Sequence, residues 1–303
     1  MDIVAKYKES RNRLFVQAGI NPESKIVAAD GPVKHIHYLE MGTGKPLIVV
    51  HGGGSHSSEW INILKPLSEQ FHLYVVDRPG CGLTDTFNYN GVNFQISAVE
   101  FLGSFMDAVG LDQANFMANS MGGYFSICFA LAHPERVEKL LFIGAPAGLN
   151  LWVPYMMRLM GLKGINKILM NTVGKPSISN LKAIHKQILV ADINNVSEAY
   201  LQHCYYNQVL PGTAKSFRTL LETVLTLQGF RKDLHLVDQL NKLKIPVYFV
   251  WGDKDAFEKP DTGAQKASSI EKQKFQVVEN AGHCPWFDQP DKCVSAILYM
   301  LQD

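Results

Sequence analysis

Residues 116–123 read FMANSMGG, and residues 124–132 continue as YFSICFALA. The first part is a short apolar run of strand length. Beyond Ser120, Tyr124, Ile127, Cys128 and Leu131 recur at helical spacing. A chain that passes from strand to helix at one serine has to turn sharply there, so only small side chains fit two residues to either side. Ala118 and Gly122 occupy those positions, giving a Gly-x-Ser-x-Gly pattern with alanine in place of the first glycine. Such a turn forces the serine into a strained backbone conformation and lifts its hydroxyl above the sheet. The pattern points to Ser120 as a nucleophile; an ordinary small residue at a strand–helix junction is the bland alternative.

Working outward, strand-length apolar runs recur at 46–50 (PLIVV), 73–76 (LYVV), 114–118 (ANFMA), 140–143 (LLFI), 247–251 (VYFVW) and 275–278 (FQVV). Runs apolar on both sides suit buried parallel strands. Longer segments with helical spacing separate them, so the expected fold is α/β, a mostly parallel central sheet flanked by helices. The alternation lapses over 149–231, which carries glycines, prolines and methionines among helix-like pieces. We expect residues 1–148 and 232–303 to form the core and 149–231 an inserted helical lid, its methionines serving as core filler or lining a pocket.

Acyl chemistry at Ser120 needs donors for an oxyanion. The Met121 amide opens the following helix, where unpaired donors and the helix dipole favour negative charge. The stretch VVHGGGSHSSEW, residues 49–60, follows an earlier strand and brings three glycines. Gly53 is the expected second donor, with Gly54 next. A serine also needs a base and the base a carboxylate. Among ten histidines, His283 lies beyond the last strand in VVENAGHCPWFDQP. The loop after the preceding strand, VYFVWGDKDAFEKP, offers Asp253, Asp255 and Glu258. Asp255 has the most room to turn back toward the histidine, with Asp253 second, and gives the chain order Ser, Asp, His.

These pieces in this order, with DRPGCGLTD at 77–85 and FALAHPERVEKLLFIGAPAG at 129–148, resemble an α/β-hydrolase over nearly the whole chain. Within that fold, HGGG followed by Trp60 and Asn62, and NSMGG before GAPAGL, look most like the meta-cleavage-product hydrolases, which break a carbon–carbon bond in a dienoate with a serine triad. The resemblance implies substrate contacts at Gly54, Asn62 and Asn119. It departs from that branch at two positions. The lid arginine that holds a substrate carboxylate falls near Cys204, where none stands, leaving Arg158 or Arg218 to act from elsewhere. Cys284 replaces the tryptophan after the histidine.

With no carboxylate clamp in view, the expected activity is hydrolysis of a carboxylic ester of a small or medium, largely apolar substrate. A carbon–carbon hydrolase is the alternative, and a non-catalytic receptor or scaffold on the same fold is the reading from another class. No cofactor or metal is expected. The five cysteines are dispersed without a CxxC pair, which argues against a disulfide framework or structural zinc. The 29 Lys and Arg against 28 Asp and Glu leave a formal charge of +1, so no nucleic-acid footprint is expected. No apolar run has membrane-spanning length, and the amino terminus is charged. The partner expected is therefore a small molecule, with no membrane, in a cytoplasmic protein.

Overall fold

The computed structural model describes residues 2–150 and 152–302; Met1, Leu151 and Asp303 lie outside the described residues. Ten strands occur in chain order: β1 (Glu23–Ala28), β2 (His35–Met41), β3 (Lys45–Val50), β4 (Phe71–Val76), β5 (Ala114–Ala118), β6 (Val137–Ile143), β7 (Leu225–Thr226), β8 (Gly229–Phe230), β9 (Val247–Gly252) and β10 (Gln273–Val278). Eight of them form one sheet in the order β1-β2-β4-β3-β5-β6-β9-β10, and β7 and β8 make a separate hairpin. From β4 to β10 the pairing is parallel; β2 is antiparallel to both of its neighbours.

The apolar runs are continuous because both faces are buried. In β3, Ile48 and Val50 join one core while Leu47 and Val49 join the other. In β9, Val247, Phe249 and Trp251 face the first core and Tyr248 and Val250 the second. Helices Phe94–Ala108 and Ser120–Ala132 cover the first face; Ile3–Gln17 and Pro290–Gln302 cover the second.

β1 and β2 are not among the expected strands. Their sequences, ESKIVA and HIHYLEM, mix polar with apolar residues: β1 is an edge strand with much of its length exposed, and β2 buries His37 against Asp77. The helix Ile3–Gln17 was likewise not anticipated, since its buried residues include Ser10 and Arg11 as well as Tyr7, Leu14 and Phe15.

Residues 149–231 lie between β6 and β9 and are mainly helical, including Tyr155–Met160, Ile165–Asn171, Ile178–Ile184, Glu198–Gln208 and Thr213–Val224. The segment has no separate core. Leu220, Val224 and Phe230 pack into the first cluster, and Leu181, Tyr200 and Leu201 into the second.

β4 lies on one side of β3 and β5 on the other. In an open parallel sheet the connections then diverge, leaving a crevice at the carboxyl ends of β3 and β5. Val50 pairs with Ala118 there, so the glycine loop and Ser120 leave the sheet side by side.

Candidate active site

Ser120 begins the helix Ser120–Ala132 with φ +49°, a left-handed conformation that a non-glycine residue seldom adopts. The preceding Asn119 is extended, at φ −120° and ψ 143°, so the reversal falls on the serine. A Cβ at Gly122 would lie 2.2 Å from the Val50 carbonyl oxygen and 2.6 Å from that of His51. Glycine is thus required at 122 because the helix passes over the end of β3.

His283 and Asp255 meet although 28 residues separate them. His283 Nδ1 lies 3.0 and 2.9 Å from the two Asp255 oxygens, and both residues are buried. The carboxylate also accepts the amides of Ala145 (2.9 Å) and Phe257 (2.9 Å), which set its orientation. With Nδ1 donating to Asp255, the lone pair of the neutral ring resides on Nε2. That nitrogen is buried and has no hydrogen-bond partner among the described residues. A free lone pair of this kind is what a general base needs.

The competing carboxylates are occupied elsewhere. Asp253 accepts the Ala281 amide at 2.9 Å and so ties the β9 loop to the loop carrying His283. Glu258 pairs with Lys266.

The glycine loop is held by buried groups that the motifs did not single out. Arg78, fully buried, donates from Nε to the His51 carbonyl (2.9 Å) and from Nη2 to the Gly52 carbonyl (2.6 Å). The Gly52 amide donates to Glu59 Oε1 at 3.0 Å. In a trans peptide the carbonyl and the next amide point in opposite directions. Holding the Gly52 carbonyl toward Arg78 therefore turns the Gly53 N–H away from Arg78. That amide has no backbone acceptor among the described residues. A side chain at Gly52 would sit 3.4 Å from Ser120 Cβ, and one at Gly53 would sit 3.9 Å from Met121 Cβ. The loop thus lies directly against the elbow, with Gly53 beside Met121.

Burial pushes the Glu59 carboxyl up from 4.5 to about 7, against the opposing pull of Ser55, the Gly52 amide, Arg78 and His283. His51 is pushed down to about 3 by burial and by Arg78, so it is neutral. Its Nδ1 donates to the Gly52 carbonyl and its Nε2 accepts the Arg78 amide. Trp60 and Trp286 stack at 4.2 Å, and Trp286 Nε1 donates to the Glu59 carbonyl at 2.7 Å, fastening the 57–60 turn beneath the His283 loop. Asp288 completes the brace by accepting the amides of Gly282 (2.9 Å), Ala191 (2.8 Å) and Asp192 (3.0 Å). A lone Glu, Arg or Asp in a loop carries no sequence signal for such roles; only its burial reveals them.

Three expected substrate contacts look different in place. Asn119 is buried, and its amide donates to the carbonyls of Ile143 (2.6 Å) and His283 (3.2 Å). It therefore braces the elbow from below, a local alternative to facing substrate. Asn62 is exposed and donates to the Trp286 carbonyl at 3.4 Å, with no hydrogen bond to Ser120 or His283. Gly54, at φ +68°, faces the Phe217 ring of the insertion, 3.0 Å from where a Cβ would be.

The cation in electrostatic reach of the groups beside Cys204 is Arg11, which is buried and donates to His37 and Ser24. Cys204 Sγ lies 3.6 Å from His56 Nε2, and His56 and His203 are both held neutral by burial first of all. Arg158 Nε donates to the Val153 carbonyl, and Arg218 lies 3.7 Å from Glu222.

Residues 45–290 match the family model described as the alpha/beta hydrolase fold. The chain belongs to the alpha/beta hydrolase family. It is 28% identical over 283 residues to a 2-hydroxy-6-oxononadienedioate/2-hydroxy-6-oxononatrienedioate hydrolase of Paraburkholderia phymatum, covering 91% of this chain and 93% of the relative. The hydrolase of the same name from Klebsiella pneumoniae is 28% identical over 279 residues, covering 89% and 92%. Among solved structures, a carboxylesterase from Bacillus subtilis superposes with a TM-score of 0.79 at 19% identity, covering 99% of each chain. A meta-cleavage product hydrolase from Pseudomonas fluorescens gives 0.75 at 21%, covering 92% of this chain and 97% of that one. At those identities the structures speak for the fold alone.

Proposed function

We propose that this chain is a serine hydrolase that cleaves a carbon–carbon bond next to a ketone in a conjugated enol-acid, through Ser120, His283 and Asp255. The observation that carries the serine mechanism is the bare, buried Nε2 of His283, whose other nitrogen is held by Asp255. His283 takes the Ser120 proton as Oγ attacks the carbonyl, and the amides of Gly53 and Met121 hold the oxyanion. Return of the proton to the leaving carbon releases the first product, and water activated by His283 then frees the acid. A carbon leaving group requires its electron pair to be delocalised, which a conjugated dienol supplies once it ketonises.

What favours this bond over an ester is the name shared by the curated relatives, which align over about nine-tenths of this chain. The ester expected from the motifs becomes the second reading, supported by Cys204 standing where a lid arginine was sought, beside the neutral His56. Both readings give the insertion the role of a lid over Ser120, with Phe217 above Gly54. The deciding experiment follows a 2-hydroxy-6-oxo-dienoate by loss of its absorbance, in parallel with p-nitrophenyl esters of graded chain length. Turnover of the dienoate that disappears in Ser120→Ala is expected. Turnover of esters alone would replace the first reading with the second. Failure of both, with no labelling by a fluorophosphonate, would make the chain a binding protein.

A further inference from the structure

Charge and exposed apolar surface are concentrated in one part of the insertion. Between Glu138 and Asp192 the sequence has no acidic residue, while residues 152–190 carry Arg158, Lys163, Lys167, Lys175, Lys182 and Lys186. Charges in the chain as a whole nearly cancel, at +1, so this stretch is a strong local excess. The same stretch holds eight of the fifteen large apolar side chains exposed among the described residues. They include Trp152 (50% exposed), Tyr155 (66%), Met156 (53%), Ile168 (64%) and Val173 (67%).

The helices that carry these side chains are joined to one another. Helices Tyr155–Met160 and Ile165–Asn171 pack on each other. Asn180, in helix Ile178–Ile184, donates to the carbonyls of Val173 and Lys175 and so ties the next helix to the intervening turn. The buried residues of the stretch point into the body: Gly161 packs against Leu225, and Leu181 joins the second core. Lys163 lies near Glu222, whose carboxylate is already held by Asn90 and Asn166. Lys167, Lys175, Lys182 and Lys186 are exposed and form no ion pair among the described residues.

We propose that this face of the insertion docks on an anionic lipid bilayer, lying in the interface with its aromatic and aliphatic side chains inserted and its lysines on the headgroups. Apolar side chains alternating with lysines meet both requirements of interfacial binding, which needs buried apolar area together with attraction to anionic headgroups. Each lysine near such a surface strengthens binding about fivefold. A second copy of this chain is a poorer occupant, because a two-fold contact would set the same lysines against one another. A nucleic acid would use the lysines but leaves Met156, Ile168 and Val173 without a partner. Absence of a membrane was expected because no apolar run reaches spanning length, and no helix of the described residues is long and apolar enough to cross one. Surface docking requires neither. The contact is independent of which bond the site cleaves.

The test uses the full chain with vesicles of phosphatidylcholine alone and of phosphatidylcholine mixed with phosphatidylglycerol, at low and high salt. Co-sedimentation with the anionic vesicles, weakened by salt and absent from the neutral ones, is expected. Trp152 is the reporter, because Trp60, Trp251 and Trp286 are fully buried; its emission should shift to the blue on binding. The variant K167Q/K175Q/K182Q/K186Q should bind more weakly by about two to three orders of magnitude. Ile168→Ser should lose binding while keeping the circular dichroism and melting temperature of the parent. Equal binding to neutral and anionic vesicles, or none at low salt, would overturn the proposal. So would concentration-dependent self-association abolished by Ile168→Ser, which would give the face to a second copy, or tighter binding to an oligonucleotide than to vesicles.

Discussion

Two buried histidine–aspartate pairs lie in this molecule, and they differ in the nitrogen that faces away from the acid. His283 Nδ1 meets Asp255 at 2.9 Å, and His37 Nδ1 meets Asp77 at 2.6 Å. Beyond His283, Nε2 has no partner among the described residues. Beyond His37, Nε2 takes Arg11 Nη1 at 3.0 Å and Ser24 Oγ at 2.8 Å. Arginine can only donate, so Nε2 of His37 is an acceptor already in use. Asp77 is equally committed, accepting the amides of Ser57 (2.6 Å) and Leu83 (3.1 Å). Burial alone would raise its pKa, yet His37, His51 and the Ser57 amide together carry it well below the usual carboxylate range. One pair is closed on itself and holds the amino-terminal helix to the sheet. The other is left open at one atom, and that opening is where chemistry is available.

The sharpest way to break this contrast is to delete each histidine. His283→Ala, like Ser120→Ala, should lower turnover by several orders of magnitude, because members of such a unit fail together. His37→Ala should lose roughly 3 kcal/mol of stability by stranding Asp77 in the interior while retaining turnover per folded molecule. Purified variants assayed against a reactive substrate, with thermal melts alongside, decide it; retained turnover in the first or a large turnover loss per folded molecule in the second would erase the distinction.

Next in size is the acid. Asp255→Asn should cut turnover by about a thousandfold or more through the wrong tautomer and an uncompensated imidazolium. Asp253→Asn should weaken the loop tie to Ala281 with little effect on rate. The opposite ranking would move the carboxylate role to Asp253.

A smaller effect is expected at Ala118, which is fully buried and pairs with Val50 across the sheet. Ala118→Gly should keep the elbow active. Ala118→Val should displace Ser120 and the Met121 amide, and a shift of about 1 Å costs on the order of a hundredfold in rate. Steady-state turnover of folded variants tests it, and a valine variant as fast as the parent would refute the crowding argument.

The smallest effect concerns stability against pH. Glu59 is pushed up from 4.5 in an unfolded chain to about 7 in the fold. Between those values the folded state binds the extra proton, so the stability associated with Glu59 is complete below pH 4.5 and is lost as pH rises through 7. Glu59→Gln should therefore gain stability over the parent at pH 8, on the order of 1–3 kcal/mol, with the gain shrinking toward pH 4.5. Asp77 has the opposite sign. Its folded value is depressed, so its contribution is present above its ordinary value of 3.8 and fails as pH falls below that. Urea titrations across that range would separate the two, and a constant difference between Glu59→Gln and the parent would show that Glu59 does not titrate there.

Five inner strands (β3, β4, β5, β6 and β9), the edge strand β10, the turn at Ser120 and the loops bearing His283 and Asp255 were legible from local pattern. A strand buried on both faces must be apolar throughout, and a serine in a tight strand–helix turn must have small neighbours. β1 lacked that signal because an exposed edge tolerates ESKIVA, and β2 because its buried histidine, His37, is satisfied by Asp77, forty residues away. The hydrogen bonds of Asn119 and Asn62 were not legible for a related reason: an asparagine amide gives no local sign of which carbonyl will take it, and Ile143, His283 and Trp286 are far away in sequence.

By itself, then, the sequence determined which segments form the strands from β3 to β6 and β9, the order of the site loops, and the position of the strained turn between strand and helix. Those properties depend on periodicity and side-chain volume among near neighbours. Only the tertiary structure decided that Asp255 rather than Asp253 turns to His283. It alone decided that Arg78 and Glu59 hold the glycine loop, and that His283 keeps a nitrogen free where His37 does not. Whether a polar atom is satisfied depends on what lies across from it, and that partner is supplied by folding over tens to hundreds of residues.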